Sequence, residues 1–434
     1  MTLDTNLARW GLSFAELQTQ KGLEHIDSLF LDRLREHDAD LHAGLVQRRN
    51  GEAELGPIAE SELLIAAARH LEGFVADVFG LQQHLRDATA QTLSHDVVMA
   101  FKQEFVARRV KKYRKPVEED FQSLDRWLSE QIVSAAEEPD RERAVAAYAM
   151  ELIADADANA EAIERLTAWC KLARQTEEGR RAVAGWSSFK LPEKLDHAHL
   201  VPMQQVDADG NVVLQADPSR WRRRDGFGLT DARMDARSVQ SEVHYCVYCH
   251  DHDGDFCSKG FPEKKGRPEL GLKQDPLGVT LTGCPLEEKI SEMHVLKRDG
   301  RTVAALAMAM VDNPMVPATG HRICNDCMKG CIYQKQDPVN IPQIETRSLT
   351  DVLELPWGVE VYHLLTRWNP LRRNQFVQKT DNGRRVLVAG MGPAGFTMAH
   401  HLTMEGCTVV GIDGLKIEPL PRELLETPVE SWED

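Results

Sequence analysis

Seven of the nine cysteines lie between Cys246 and Cys331, while Cys170 and Cys407 stand apart. The first group reads Cys246-x2-Cys249-x7-Cys257, followed by Cys284 in a Gly-Cys-Pro. The second reads Cys324-x2-Cys327-x3-Cys331. Close spacing on a loop lets several thiolates meet one inorganic core, and a distant thiolate then closes the cage. The x2 and x3 intervals recur in iron–sulfur runs, where the last cysteine of a run can ligate the other cluster. Two C-x2-C pairs would also satisfy one tetrahedral zinc, but a single zinc leaves Cys257, Cys284 and Cys331 without a role. Two clusters, needing eight ligands between them, account for the set better. His250 and His252 between these thiols read as an exposed polar loop, and Cys170 and Cys407 as small buried side chains.

A second chemical signature follows downstream. Gly390-Met391-Gly392-Pro393-Ala394-Gly395 comes directly after the apolar run Val386–Ala389 and opens a helical pattern. Gly390 permits the tight turn, Gly392 lets the backbone approach a pyrophosphate, and Gly395 allows the helix to pack against the strand. The phosphates would sit at the positive helix N-terminus. Asp413 ends a second apolar run, where an acid accepts ribose hydroxyls.

The elements that must position these residues are mostly helices. From the start to residue 181, stretches such as 58–80 and 141–173 space their apolar residues by three and four. The basic stretch 107–116 reads as a solvated helix end. Residues 182–238 are a linker with a hairpin at Val206–Leu214 and the charged aromatic stretch 221–227. Residues 239–350 form the cysteine-rich domain, with short helices at 285–297 and 302–313. Residues 351–383 are a connector, and 384–434 begin a strand–turn–helix–strand unit. The expected fold is mainly α: a helical N-terminal domain, an α-helical iron–sulfur domain, and an incomplete Rossmann-like βαβ unit. The acidic, Pro-containing tail after Asp413 reads as surface-exposed.

Composition narrows the function further. The chain has 434 residues and a formal net charge of −16, with 42% hydrophobic and 28% charged residues, the range of an ordered globular protein. The negative balance argues against nucleic acid or an anionic membrane surface as partner. The longest clean apolar run, Val303–Val311, is far short of the ~18 residues that span a bilayer. Residues 1–11 lack the basic and apolar regions of a secretory signal, so a cytoplasmic location is expected. In that setting clustered thiols bind metal more often than they form disulfides.

Taken together, C-x2-C…C…GCP…HRIC…C-x3-C…PVNI-x2-IE and the glycine turn resemble the N-terminal dicluster module of the glutamate synthase small subunit, which dihydropyrimidine dehydrogenase also carries. The resemblance covers about Val239–Asp413. It implies two [4Fe–4S] clusters: one held by Cys246, Cys249 and Cys257 and closed by Cys331, the other by Cys284, Cys324 and Cys327. The family's eighth ligand is a carboxylate or amide, and Glu345 stands at the matching place, with Gln343 as the alternative. The glycine turn would begin an FAD site. Two departures stand out: the long segment Ser258–Gly283 separates Cys257 from Cys284, and Cys324 and Cys327 are closer than in the family.

The implied function is the electron-transfer part of an FAD- and NAD(P)H-dependent oxidoreductase. No catalytic acid, base or nucleophile is assigned. Its partners would be the remaining FAD and NAD(P)H domains or a partner subunit, together with a redox acceptor. A fragment of a longer enzyme or one half of a split one is expected, since a lone βαβ unit cannot complete a dinucleotide fold. Two alternatives remain: a scaffold stabilised by zinc or a cluster without redox turnover, and a thiol–disulfide sensor.

Overall fold

The computed structural model describes residues 5–52, 54–132, 140–201, 203–216, 221, 231–252, 254–321, 323–414, 421, 422 and 426. The fold is mainly α. It opens with α1 (Gln20–His37), α2 (Ala39–Asn50), α3 (Pro57–Phe79) and α4 (Gln82–Leu93). Next, α5 (Asp96–Phe101) runs on through a π-helical stretch, Lys102–Arg109, into α6 (Val110–Lys112). Then come α7 (Phe121–Ile132), α8 (Arg141–Ala154), α9 (Ala160–Gln175) and α10 (Glu177–Ala182). Side-chain caps start several of these: Thr19 accepts from the Gly22 N–H, Asp38 from Leu41, Asp140 from Arg143 and Thr176 from Gly179.

The continuous helical pattern of 141–173 is broken between α8 and α9. Asp155 Oδ1 accepts from the Ala158 N–H at 3.2 Å, and the Asn159 amide donates to the carbonyls of Leu152 and Asp155. Short polar side chains here compete with the helix for its own backbone groups, which apolar spacing does not report. The hairpin forms as β1 (Met203–Ala208) and β2 (Asn211–Ala216), antiparallel with Ala208 opposite Asn211. Its turn residues Asp209 and Gly210 have φ of 55° and 82°, both positive as a two-residue type I′ turn requires. Of the stretch 221–227, only Trp221 is among the described residues.

The second half contains α11 (Ala236–Tyr245), α12 (Phe256–Lys259), α13 (Ile290–Arg298), α14 (Thr302–Ala309) and α15 (Val316–Thr319). It continues with α16 (Asp326–Gly330), α17 (Ile341–Leu353) and α18 (Gly358–Arg367), the last falling within the stretch that reads as connector. The chain then forms β3 (Arg385–Ala389), α19 (Pro393–Met404) and β4 (Thr408–Ile412), with β3 and β4 parallel.

Two hydrophobic cores result. One joins α1 to α4 with the helices from α11 to α18; the other is built from α5 to α9. The first 181 residues thus divide between two cores. Arg237 on α11 bridges them, its guanidinium pairing with Asp140 and, at 2.9 Å, with Glu142.

Within the first core, every residue of α14 is buried, so the helix needs cover on all sides. It receives that cover from α3, α13 and α17. Glu72 of α3 accepts from the N–H groups of Val303 (2.9 Å) and Ala304 (3.2 Å) at the start of α14. The segment after α18 is locked to α1 and α2. Asp27 accepts from the Trp368 indole at 2.8 Å and from both Arg49 terminal nitrogens at 3.0 Å. Arg49 and Arg48 also donate to the carbonyls of Pro370 and Leu371.

Truncating one partner of such a buried pair strands the other charge. Asp27→Ala is expected to lower stability by about 3–5 kcal/mol, read as a fall in the urea midpoint. Asp27→Asn, which keeps an acceptor for Trp368, should lose less.

Candidate functional site

The chain assembles the first thiol set from two distant segments. Asp235 caps α11 through the Ser238 N–H at 2.7 Å, and Cys246 lies at that helix's end. Cys249 starts a 3₁₀ turn, Cys249–His252, and Cys257 lies on α12. Cys331 follows α16, which packs on α12. A Cβ at Gly330 would meet the Phe256 carbonyl at 2.5 Å, so only glycine permits this close approach. Burial pushes the Cys257 thiol far up, and the neighbouring Asp255, Cys246, Cys331 and Cys249 add to it. Burial likewise raises Cys246 to about 12 and Cys249 to about 11, each with Cys331 among its charged neighbours. Two backbone donors aim at these sulfurs: Tyr248 N–H at Cys246 Sγ (3.4 Å) and Tyr333 N–H at Cys331 Sγ (3.5 Å). The Tyr245 and Tyr333 rings stack beside them, centroids 4.3 Å apart.

The second set gathers around α17. The segment Ser258–Gly283 folds back on itself through the bridges Pro262–Leu272 and Gln274–Thr280. It returns so closely that the Cys284 N–H donates to the Cys257 carbonyl at 2.8 Å. Its length therefore does not separate the two cysteines in space. Cys327 is raised by burial and by Cys284, Glu345, Glu288 and Cys324 around it. Cys284 is raised to about 12 by burial, with Glu288 and Glu345 beside it. Cys324 is exposed. Glu345 is buried on α17, accepts from the Asn313 amide at 2.8 Å, and is pushed up to about 7 by burial. Gln343, the alternative eighth ligand, is engaged elsewhere: it accepts from the Met234 N–H at 3.0 Å and donates to the Ala232 carbonyl at 3.1 Å.

All seven of these cysteines are free thiols. They are neighbours in two sets, yet among the described residues no three His, Cys, Asp or Glu side chains converge on a single ion position. Cys170 is fully buried in the second core, and Cys407 is partly buried, its sulfur 3.5 Å from the Asn382 amide. His252 is exposed, as its polar surroundings suggest, but His250 is buried. His250 Nδ1 lies 2.5 Å from Ser291 Oγ on α13, a contact made across a long sequence separation and so invisible locally.

The glycine turn joins β3 to α19. Gly390 has φ 95° and its N–H reaches the Ile412 carbonyl on β4 at 2.8 Å. Gly392 is the N-cap of α19, Pro393 and Ala394 form its first turn, and a Cβ at Gly395 would lie 1.8 Å from the Gly390 carbonyl oxygen. Asp413 accepts from the Met391 N–H at 2.5 Å, which places the acid against the turn. Leu387, Val410 and Ile412 on the two strands are exposed. The tail after Gly414 lies outside the described residues except for Pro421, Arg422 and Glu426.

Comparison with known proteins matches residues 8–80 to the RP005 N-terminal alpha-helical domain family. These residues lie in the first core. A Rickettsia prowazekii protein described as uncharacterized protein RP006 is 54% identical over 120 residues, 28% of this chain and 17% of its own length. A second, uncharacterized protein RP005 of the same organism, is 26% identical over 308 residues, 66% of this chain and 97% of its own. The glutamate synthase [NADPH] small chain of Mycobacterium tuberculosis is 32% identical over 128 residues, 29% of this chain and 23% of its own. The chain thus spans about a sixth of the first relative and a quarter of the third, and its similarity to an oxidoreductase subunit is distant. No solved structure is significantly similar to it. Among the described residues, no helix is long and apolar enough to cross a membrane.

Two buried groups, one beside Cys284 and one beside His250, escape sequence reading. Glu288, in the Pro-Leu-Glu-Glu after Cys284, is buried and raised by its burial and by Glu345; in sequence it looks like one more helix-start acid. His294 on α13 is fully buried, neither ring nitrogen has a hydrogen-bond partner, and burial lowers it to about 3. The unfolded chain takes up this proton below the ordinary value of 6.5, whereas the folded chain resists it down to about 3. Stability is therefore lost as pH falls through that window. His294→Leu is expected to flatten the decline of the urea midpoint between pH 6.5 and 3.

Proposed function

We propose that this chain is the iron–sulfur electron-transfer part of an FAD- and NAD(P)H-dependent oxidoreductase. The observation that carries the proposal is the division of seven thiols into two neighbouring sets. Cys246, Cys249, Cys257 and Cys331 would hold one [4Fe–4S] cluster, and Cys284, Cys324, Cys327 and Glu345 the other. When bound, such clusters take up and release single electrons.

The donor set suits cationic cores. Burial keeps most of these thiols protonated, so the protons leave only when a metal centre replaces them. The N–H groups of Tyr248 and Tyr333 would then donate to ligating sulfurs, one of the levers that set a cluster's potential. Asn313 orients Glu345, and Gln343 holds the backbone at 232–234 in place. The turn at Gly390–Gly395 would meet a flavin pyrophosphate, with Asp413 beside it. The remaining FAD and NAD(P)H domains, as a partner subunit or further sequence, would cover the exposed Leu387, Val410 and Ile412.

The test is anaerobic purification with iron, acid-labile sulfide and zinc analysis, and EPR of the dithionite-reduced protein. About eight irons and eight sulfides per chain are expected. Cys284→Ser should retain about four of each, and Glu345→Ala should alter the spectrum of only one cluster. Zinc without sulfide would overturn the proposal and leave a metal-stabilised scaffold.

A further inference from the structure

A cavity of about 290 Å³ opens between the start of α3 and the loop joining Cys249 to Cys257. Its wall includes Ser61, His250, Asp255, Lys259, Lys289 and Glu292. Glu292 is 1% exposed. Its Oε1 accepts from the Ser61 hydroxyl at 2.6 Å, while its Oε2 is shut away from water without a partner. Asp255 Oδ1 is likewise buried, its carboxyl lying beside Ser258 and Glu292. Asp255 is held at φ 130°, a strained backbone that persists only where the surroundings enforce it. Buried carboxylate oxygens are normally hydrogen-bonded, so the Glu292 oxygen left without a partner at this cavity, with Asp255 beside it, calls for a donor from outside the chain.

The opposite charge is present as well. Lys259 and Lys289 act on Glu60 and Asp255 through charge, and Lys289 also on the buried Asp312; neither enters an ion pair among the described residues. The other charged groups at the rim are engaged: Glu60 accepts from Arg48 at 2.8 Å, and Lys265 donates to the His252 carbonyl at 3.2 Å. Among the described residues of this wall, the groups left to meet a ligand are the Glu292 and Asp255 oxygens and the two ammonium groups. A bare cation would be repelled by the lysines, and a bare anion by the acids. A molecule carrying both charges satisfies both.

We propose that this cavity binds a small zwitterion of α-amino-acid size, its ammonium against Glu292 and Asp255 and its carboxylate against Lys259 and Lys289. None of these residues is a thiol or a proposed cluster ligand, although Asp255 stands two residues before Cys257.

Isothermal titration of the full chain with glycine, L-alanine and L-aspartate tests it, with ethylammonium and acetate as single-charge controls. Saturable binding of at least one amino acid is expected, with both controls at least about tenfold weaker, since each forfeits one charged contact. Glu292→Gln and Lys289→Met should each weaken that binding by a similar factor. Lys289 is only partly buried, so its variant keeps the test open if the one at Glu292 fails to fold. The inference is overturned if no amino acid binds at millimolar concentration, if either control binds as tightly, or if Lys289→Met leaves the affinity unchanged.

Discussion

The first two turns of α14 are the constraint on which the larger core depends. A helix buried on every side has no solvent to satisfy the N–H groups at its start, and its own N-cap, Arg301, supplies no side-chain acceptor. The acceptor comes from Glu72 on α3. This one carboxylate makes the cysteine-rich half dependent on helices more than two hundred positions earlier. Everything placed around α14, including α13 and α17 with their buried acids and histidine, inherits its position from that contact. The lock of Asp27 and Arg49 onto Trp368 fastens the same two halves at the other end.

Around this frame the thiols sit on short elements that could not stand alone. The helices α12 and α16 are too short to be stable in isolation, and they hold each other through contacts that only glycine at position 330 allows. The second core, by contrast, contains no residue of either thiol set and meets the first around α11, through Arg237, Lys102 on Ser241 and Lys190 on Glu242. Both thiol sets thus rest on one core.

Much of this was legible in the sequence, for identifiable reasons. Cysteine spacing is a local signal, so Cys246, Cys249 and Cys257 could be grouped without coordinates. The glycine turn is legible because Gly390 takes a positive φ and Gly395 lies where a Cβ would strike the Gly390 carbonyl, whereas a side chain at Gly392 would meet open space. What stayed hidden depends on packing between distant segments. The burial of His250 against Ser291, the place of Glu288 beside Glu345, and the division of the first 181 residues into two cores leave no periodic trace. The break between α8 and α9 was hidden for the opposite reason: its alanines keep a helical rhythm while Asp155 and Asn159 take the backbone away from it.

The return of residues 258–283 has a consequence for how such a chain can vary. Because Cys257 and Cys284 are joined by a single backbone hydrogen bond, the excursion between them begins and ends at nearly one point. Closing a longer excursion there costs little, about 0.6 kcal/mol for each doubling of its length. This is a place where evolution can lengthen, trim or decorate the molecule while every thiol stays where it is.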